Sequence, residues 1–358
     1  MSRLMPSRRS LIAGIAGLVA SGLPRPAAAR ANGYYQGPVS DHFDGIRFFN
    51  PDSPNEDQGL VEVLRWRLGA TSIAWPDSLP ATPQDRPPTR VKDGDCRVSF
   101  VGHASFLIQI EGLNILLDPV WSARASPLKF AGPARHASPG IAFDNLPPID
   151  AVLVSHNHYD HMDVATLARL WRRDKPRIIA PLGNDAIIRS ADASIVVEVG
   201  DWGDSFRLND RVVVQLRRAH HWSARGIKDR RHALWSAFVI DEPGGGIYFV
   251  GDTGFGDGST FRDVRRAHPR LRLALLSIGA YEPRWFMKTQ HMNPAEAVEA
   301  FRLCGAKQAI GHHWGTFRLA DEGYDDPPRK LTEALSRTGL ASQTFSTLLP
   351  GSALQFTK

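Results

Sequence analysis

Residues 154–163 read VSHNHYDHMD and close the apolar run IDAVLVS. Three histidines and two aspartates fall within eight positions, where a strand should end. Side chains two apart on extended backbone share a face, so His156 and His158 can point together. Asp160 and His161 can turn toward a second point as a helix begins. Neutral imidazole and carboxylate are the usual protein ligands of zinc. The competing reading is a polar cap on a strand–helix loop. Without a cation, however, these four side chains would repel or stay solvated. The HxHxDH spacing points to metal ligation by His156, His158, Asp160 and His161.

One short motif does not complete two metal sites. At least three more ligands should come from distant strand ends, and the chain has three candidates. RRAHHWSAR offers His220 or His221, FVGDTG offers Asp252, and AIGHHWGTF offers His312 or His313. Each follows a β-rich run, which is how loops at one sheet edge converge on a site.

Outward from the motif, RVSFVG, ASFLIQI and NILLDP read as short strands separated by turns. MDVATLARLWRR reads as an amphipathic helix with Asp163 as its cap. RIIAP, SIVVEV, SFRL, RVVVQLRRA, ALWSAFVI, GIYFVGD, LALLSI and QAIGHH read as strands. Asn209-Asp210 and PGGG supply turns. NPAEAVEAFRLCGA and PPRKLTEALSRTG are helices with proline in the first turn. Hairpin-rich strands mixed with helices, twice over, suggest an α/β (α+β) fold of two packed sheets with helices outside.

The N-terminal segment has another texture. MSRLMPSRRSLIAG is basic, Leu11 to Leu23 is apolar, and PRPAAARA follows. That order is an export signal over residues 1–31, with cleavage after Ala29 or Ala31. Arg8-Arg9 gives it a twin-arginine character, implying an exported, periplasmic protein. Formal charge is +6, but residues 1–29 hold four arginines and no acid; removing them leaves 39 basic against 37 acidic residues, or +2. Bulk charge therefore gives no support to a nucleic-acid partner. The run Lys228-Asp229-Arg230-Arg231 reads as a solvated loop. Residues 32–95, rich in Pro, Gly and Trp, read as an extended arm packed on a catalytic domain spanning 96–358. Cys96 and Cys304 are too few for a disulfide framework, and neither is assigned chemistry.

HxHxDH, a later histidine, a GDTG aspartate and a final histidine together resemble the metallo-β-lactamase fold. FVGHASFLIQIEGLNILLDPVWSARASP, IGAYEPRWFMKTQHMNPAEAV and HHWGTF more narrowly resemble the N-acylphosphatidylethanolamine-hydrolysing phospholipase D branch. The resemblance implies a four-layer αββα sandwich and two Zn2+ ions. It assigns His156, His158 and His221 to one ion and Asp160, His161 and His313 to the other, with Asp252 bridging. It places His291 beside the metals as a proton donor or phosphoryl-oxygen ligand, and it makes Asp160 part of the catalytic set. It brings the loop carrying Tyr281, Arg284, Trp285 and Phe286 against the substrate. His103 is expected to reach the site or to hold a carboxylate such as Asp118. Trp222, Trp235 and Trp314 are expected to pack.

The implied reaction is phosphodiester hydrolysis of an N-acylphosphatidylethanolamine-like lipid, by metal-bound hydroxide attack at phosphorus. The partners would be a phospholipid or other small-molecule substrate and a membrane surface. A lactone or cyclic phosphodiester is the alternative substrate, and a non-catalytic lipid-binding module is the rival of another class. No GxSxG elbow offers a protein nucleophile.

Overall fold

Phe106, Leu107 and Ile108 are consecutive, fully buried, and belong to two different cores. That is the period of a strand covered on both faces. The computed structural model describes residues 32–52, 59–69, 73–76, 79, 84–92 and 94–356. The expected export signal, 1–31, lies outside the described residues.

The first sheet has seven strands in the order β14-β1-β2-β3-β4-β5-β6. These are β1 (Cys96–Gly102), β2 (Ser105–Ile110), β3 (Leu113–Leu117), β4 (Ala151–Leu153), β5 (Arg177–Pro181), β6 (Val197–Gly200) and β14 (Ala353–Phe356). The second also has seven, in the order β13-β12-β11-β10-β9-β8-β7. It comprises β7 (Ser205–Arg207), β8 (Val213–Arg217), β9 (Ala237–Asp241), β10 (Gly246–Phe249), β11 (Leu271–Ser277), β12 (Gln308–His312) and β13 (Phe345–Thr347).

Between the sheets lie Phe106, Ile108 and Leu117 from one side and Phe238, Phe249 and Leu275 from the other. On the outer face of the first sheet, Leu107 and Leu116 meet Leu167 and Leu170 of α2 (Val164–Asp174) and Ile187 and Ile188 of α3 (Asn184–Arg189). On the outer face of the second, Tyr248 and Leu276 meet α4 (Ser259–Ala267), α6 (Pro294–Cys304) and α7 (Asp326–Thr338) through Phe261, Val298 and Leu331. The fold is the expected four-layer αββα sandwich.

Local signals explain most boundaries. Asp163 caps α2 by accepting from the backbone N–H groups of Ala165 and Thr166. Asn293 and Glu296 form a reciprocal capping box at α6. The helices α3 and α4 and the strands β13 and β14 were not legible. In α4 Thr260, Phe261 and Val264 are buried at helical spacing, a short amphipathic signal that the sequence reading passed over. ALWSAFVI is a strand only from Ala237. Before it, Leu234 and Ser236 donate their backbone N–H to Leu182 and Ser155, joining the two sheets instead of extending one.

Cys96 lies in the inter-sheet core and Cys304 in the outer core of the second sheet, both as free thiols. The described residues from Asn32 onward form one compact unit. The arm is part of it, and it is not wholly extended. It contains α1 (Leu60–Gly69). Phe43 and Phe48 are buried in the outer core of the second sheet. Arg97 grips Asp85 through two hydrogen bonds of 2.7 and 2.9 Å. Trp66 Nε1 donates to Asp321 Oδ2 at 2.8 Å.

His42 pins the arm to the β6–β7 turn. Its ring stacks on Trp202, and its two nitrogens reach Asp41 at 2.6 Å and Asp201 at 2.8 Å. Carboxylates only accept, so both contacts require the imidazolium. Burial opposes that charge, but Asp201 and Asp41 outweigh it and raise the His42 pKa. A raised folded pKa stabilises fully below the unfolded value of about 6.5 and loses its contribution as pH climbs through the folded value. The Tm difference between wild type and His42→Gln should therefore be larger at pH 6 than at pH 9. Equal differences at both pH values would remove the ion pair from the account.

Candidate metal centre

Strand direction brings the motif residues together. β3 through β6 run parallel, as do β10 through β13. HxHxDH leaves the C-terminal end of β4, Asp252 that of β10, and His313 that of β12. The chain beyond β8 supplies His221. Gly251, at φ +58°, precedes Asp252; a Cβ there would meet Ser155 Cβ at 2.6 Å. Only glycine lets the end of β10 approach the histidine loop so closely.

The ring nitrogens of His156, His158 and His221 form one cluster. His156 Nε2 lies 2.9 Å from His158 Nδ1, and His221 Nε2 lies 3.2 Å from it. Asp160, His161, His313 and His103 form a second cluster. Asp252 Oδ2 stands between them, 3.1 Å from His313 Nε2, 3.2 Å from His161 Nε2 and 3.7 Å from His221 Nε2. All seven residues assigned by the resemblance thus share one place. The His220 ring reaches Asp52 at 3.1 Å while its backbone N–H donates to the Thr253 hydroxyl at 2.9 Å, and His312 sits between Phe106 and Phe249.

Neighbouring groups set the tautomers. His161 Nδ1 donates to Asp118 Oδ2 at 2.6 Å. Ser155 gives its backbone N–H and its hydroxyl to the same carboxylate, at 2.7 and 2.6 Å. With its proton used there, Ser155 Oγ accepts from His156 Nδ1 at 2.9 Å. His221 Nδ1 donates to the carbonyl of Gln290 at 3.0 Å. In neutral imidazole, a protonated Nδ1 leaves a lone pair on Nε2. The lone pairs of His156 and His221 are therefore turned inward, and His161 would present a third on releasing its Nε2 proton.

The electrostatics register that crowding. Burial pushes His158 and His221 down to about 3 and holds His156 well below its ordinary value. Burial also opposes charge on His313, yet Asp252 and Asp160 overcome it and hold the ring up at about 9. His161 is likewise raised, by Asp252, Asp160 and Asp118 against burial. Asp160 and Asp252 stay far below the usual carboxylate range despite burial, because His161 and His313 face them. Protons on His161 and His313 supply the positive charge that two buried carboxylates require. His158 Nε2, His161 Nε2 and Asp252 Oδ1 remain buried without a hydrogen-bond partner among the described residues. A mixed imidazole and carboxylate donor set with inward lone pairs fits divalent cations.

A family model for the beta-lactamase superfamily domain matches residues 113–314, more than half the chain. The chain belongs to the beta-lactamase superfamily. The chain is 39% identical over 261 residues to N-acyl-phosphatidylethanolamine-hydrolyzing phospholipase D 1 of Caenorhabditis elegans, covering 70% of this chain and 73% of that protein. It is 33% identical to the mitochondrial N-acyl-phosphatidylethanolamine-hydrolyzing phospholipase D of Saccharomyces cerevisiae, over 70% of this chain and 55% of that one. Among solved structures, the isothiocyanate hydrolase from Delia radicum gut bacteria superposes with a TM-score of 0.58 at 18% identity, covering 73% of this chain and all of that one. That likeness concerns the fold. The protein is accordingly a metal-dependent hydrolase close to the N-acylphosphatidylethanolamine-hydrolysing branch.

Beside the metal-ligand candidates lies a cavity of about 370 Å³, lined by His158, Asp160, Asp252, His291 and His313 and by Trp66, Phe286, Met287 and Leu319, among others. Of the four expected substrate-side residues, only Phe286 lines it. Tyr281 is buried behind the loop, and half-exposed Trp285 packs on Phe286 and under Arg65. Arg284 donates to Glu296 at 2.7 and 2.9 Å and to the carbonyl of His291 at 3.0 Å, so it braces the loop and is not among the residues lining the cavity. His103 reaches Asp160 at 2.8 Å; Asp118 serves His161. Trp222, expected only to pack, lines the cavity, as does Arg230 from the supposedly solvated loop. Val63 and Trp66 come from the arm, whose sequence carried no site signal.

Cation binding should displace the protons on His161 and His313, because a ligating imidazole must be neutral. Calorimetry of Zn2+ binding in buffers of different ionisation enthalpy should show proton release at pH 7 that declines as pH passes about 9. Asp118→Ala should weaken binding by about 10–100-fold, read by chelator competition. Unchanged affinity would mean that Asp118 does not orient the ligands.

Proposed function

We propose that this hydrolase is a two-zinc phosphodiesterase of phospholipase D type, acting on N-acylphosphatidylethanolamine-like lipids. The observation that carries the reading is the meeting of a charged histidine–aspartate centre with an apolar wall. Trp66, Phe286, Met287 and Leu319 offer aromatic and aliphatic surface to acyl chains within one cavity. The similarity to the worm enzyme supports the same bond.

The residues divide the work. His156, His158 and His221 would hold one cation, and Asp160, His161 and His313 the other, with Asp252 between. When bound, divalent cations neutralise charge on a phosphoryl oxygen and make water acidic enough to deprotonate near neutral pH. Asp160, fixed by His103 at 2.8 Å, keeps its carboxylate beside His313 at 3.2 Å, where the second cation would be held. His291 Nδ1 is buried without a hydrogen-bond partner among the described residues and lies 3.8 Å from Asp252 Oδ2. That position supports reading it as a partner of a phosphoryl oxygen or as a proton donor to the leaving alkoxide, with burial holding its pKa down at about 3 so that it acts from the neutral ring.

A membrane-surface contact belongs to the same proposal. α1 gives Val63 and Trp66 to the cavity wall while its opposite face carries exposed Val61, Leu64 and Leu68. No helix among the described residues is long and apolar enough to cross a membrane. Export through the twin-arginine-like leader is also proposed, and N-terminal sequencing of the mature protein should begin near Arg30 or Asn32.

Zinc-loaded protein should release N-acylethanolamine from N-acylphosphatidylethanolamine in detergent. Asp252→Asn should lower kcat/KM by about a hundredfold or more, and metal stripping should abolish turnover. A Leu64→Glu, Leu68→Glu variant should keep its rate in detergent and lose it on vesicles. Failure of the fully loaded protein to release product would overturn the substrate while leaving the metal centre intact.

A further inference from the structure

A second cavity, of about 200 Å³, lies on the outer face of the second sheet. Its walls include Trp202 from the β6–β7 turn, Arg217 and Arg218 from the end of β8, and Thr260, Asp263 and Val264 from α4. It shares no lining residue with the cavity beside the metal centre.

Two adjacent arginines give this cavity its charge. Arg217 Nη1 donates to the neutral Gln215 Oε1 at 3.2 Å, and among the described residues no carboxylate pairs with that guanidinium. Arg218 uses Nη2 on Asp52 Oδ1 at 2.6 Å, and its guanidinium lies 5.5 Å from the centroid of the Trp202 ring. Asp263, the acid in the wall, is bound by Arg266. Trp202 is itself fixed, stacked on His42 and donating Nε1 to the carbonyl of Trp235 at 2.7 Å.

Thr260 points to a ligand independently. It is 4% exposed, and its hydroxyl has no hydrogen-bond partner among the described residues. A buried hydroxyl left unpaired is destabilising, and a valine of the same shape would avoid that cost. A group that enters the cavity and bonds the hydroxyl accounts for it.

We infer that this cavity is a binding site for a small tetrahedral oxyanion, either inorganic phosphate or the phosphate of a monoester. The in-plane N–H donors of Arg217 and Arg218 match phosphate oxygens, and Thr260 Oγ1 donates to a further one. Trp202 and Val264 leave an apolar wall for the organic part of an ester. The site is separate from the reaction centre and is linked to it through Arg218. Asp52, which Arg218 binds, also reaches the His220 ring at 3.1 Å, one residue before His221. The inference does not depend on the lipid substrate.

The test labels the zinc-loaded full chain with phenylglyoxal and reads each arginine by peptide mass spectrometry. Inorganic phosphate and glycerol 3-phosphate are the probes, with sodium chloride at matched ionic strength as the control. Either anion should slow labelling of Arg217 and Arg218 by about tenfold and leave exposed Arg302 unchanged. Reading protection residue by residue separates this site from any anion bound at the metals. Thr260→Val should need about fivefold more phosphate to half-protect Arg217, with Tm equal to or above wild type. Arg217→Gln should need about tenfold more to half-protect Arg218, and Arg217→Lys should fall between. The anion that protects at lower concentration identifies the source, free phosphate or ester. Labelling untouched by both anions, or slowed as much by chloride, would overturn the site. Unchanged half-protection in Thr260→Val would do the same, leaving the hydroxyl as packing alone.

Discussion

Asp118 is a carboxylate with no exposed surface, and the orientation of the centre depends on it. It leaves β3 with φ at +37°, accepts from His161 directly, and fixes His156 through Ser155. Burial pushes its carboxyl upward, and the bonds from His161 and Ser155 pull it back. One buried acceptor thus decides which nitrogen of two histidines carries the proton, and so which nitrogen faces the cation position. Gln290 does the same for His221 through its carbonyl.

The centre is held under tension by the fold around it. Of the seven non-glycine residues with positive φ among those described, His103, Asp118, Ala280 and His313 stand at or beside the site. Left-handed backbone is costly for such residues, and tertiary packing has to maintain it. Glu322 contributes by accepting from the backbone of Ala280 and Glu282, and Arg284 by binding Glu296 and the His291 carbonyl. The segment between β11 and α6, which includes the short helix α5 (Arg284–Met287), is therefore a brace that also delivers Phe286, Met287 and His291 to the cavity.

The β-rich runs, the cap at Asp163, the first-turn proline of α6, and HxHxDH were legible because each rests on neighbours within a few residues. α3, α4 and the closing strands were not, because each is short. The aromatic loop was misjudged residue by residue. Tyr281, Arg284 and Trp285 share a short segment with Phe286, but whether a side chain meets cavity, core or solvent depends on what packs behind it. The same holds for Arg230, which composition alone marks as one member of a charged run.

What the sequence determined by itself is the donor inventory. The histidines and aspartates follow strand ends, with spacings that only a metal site uses well, and the β–α alternation requires two covered sheets. Tertiary structure alone decided the rest. Residue spacing left His220 or His221 and His312 or His313 open; the family resemblance named His221 and His313, and the approach of distant strand ends is what turns those rings inward. Tertiary structure also built the cavity wall from the arm, the 223–231 loop and the β11–α6 loop, which lie far apart along the chain. Ligand type is written in residue identity, whereas orientation and cavity chemistry arise from contacts between segments whose separation no local pattern encodes.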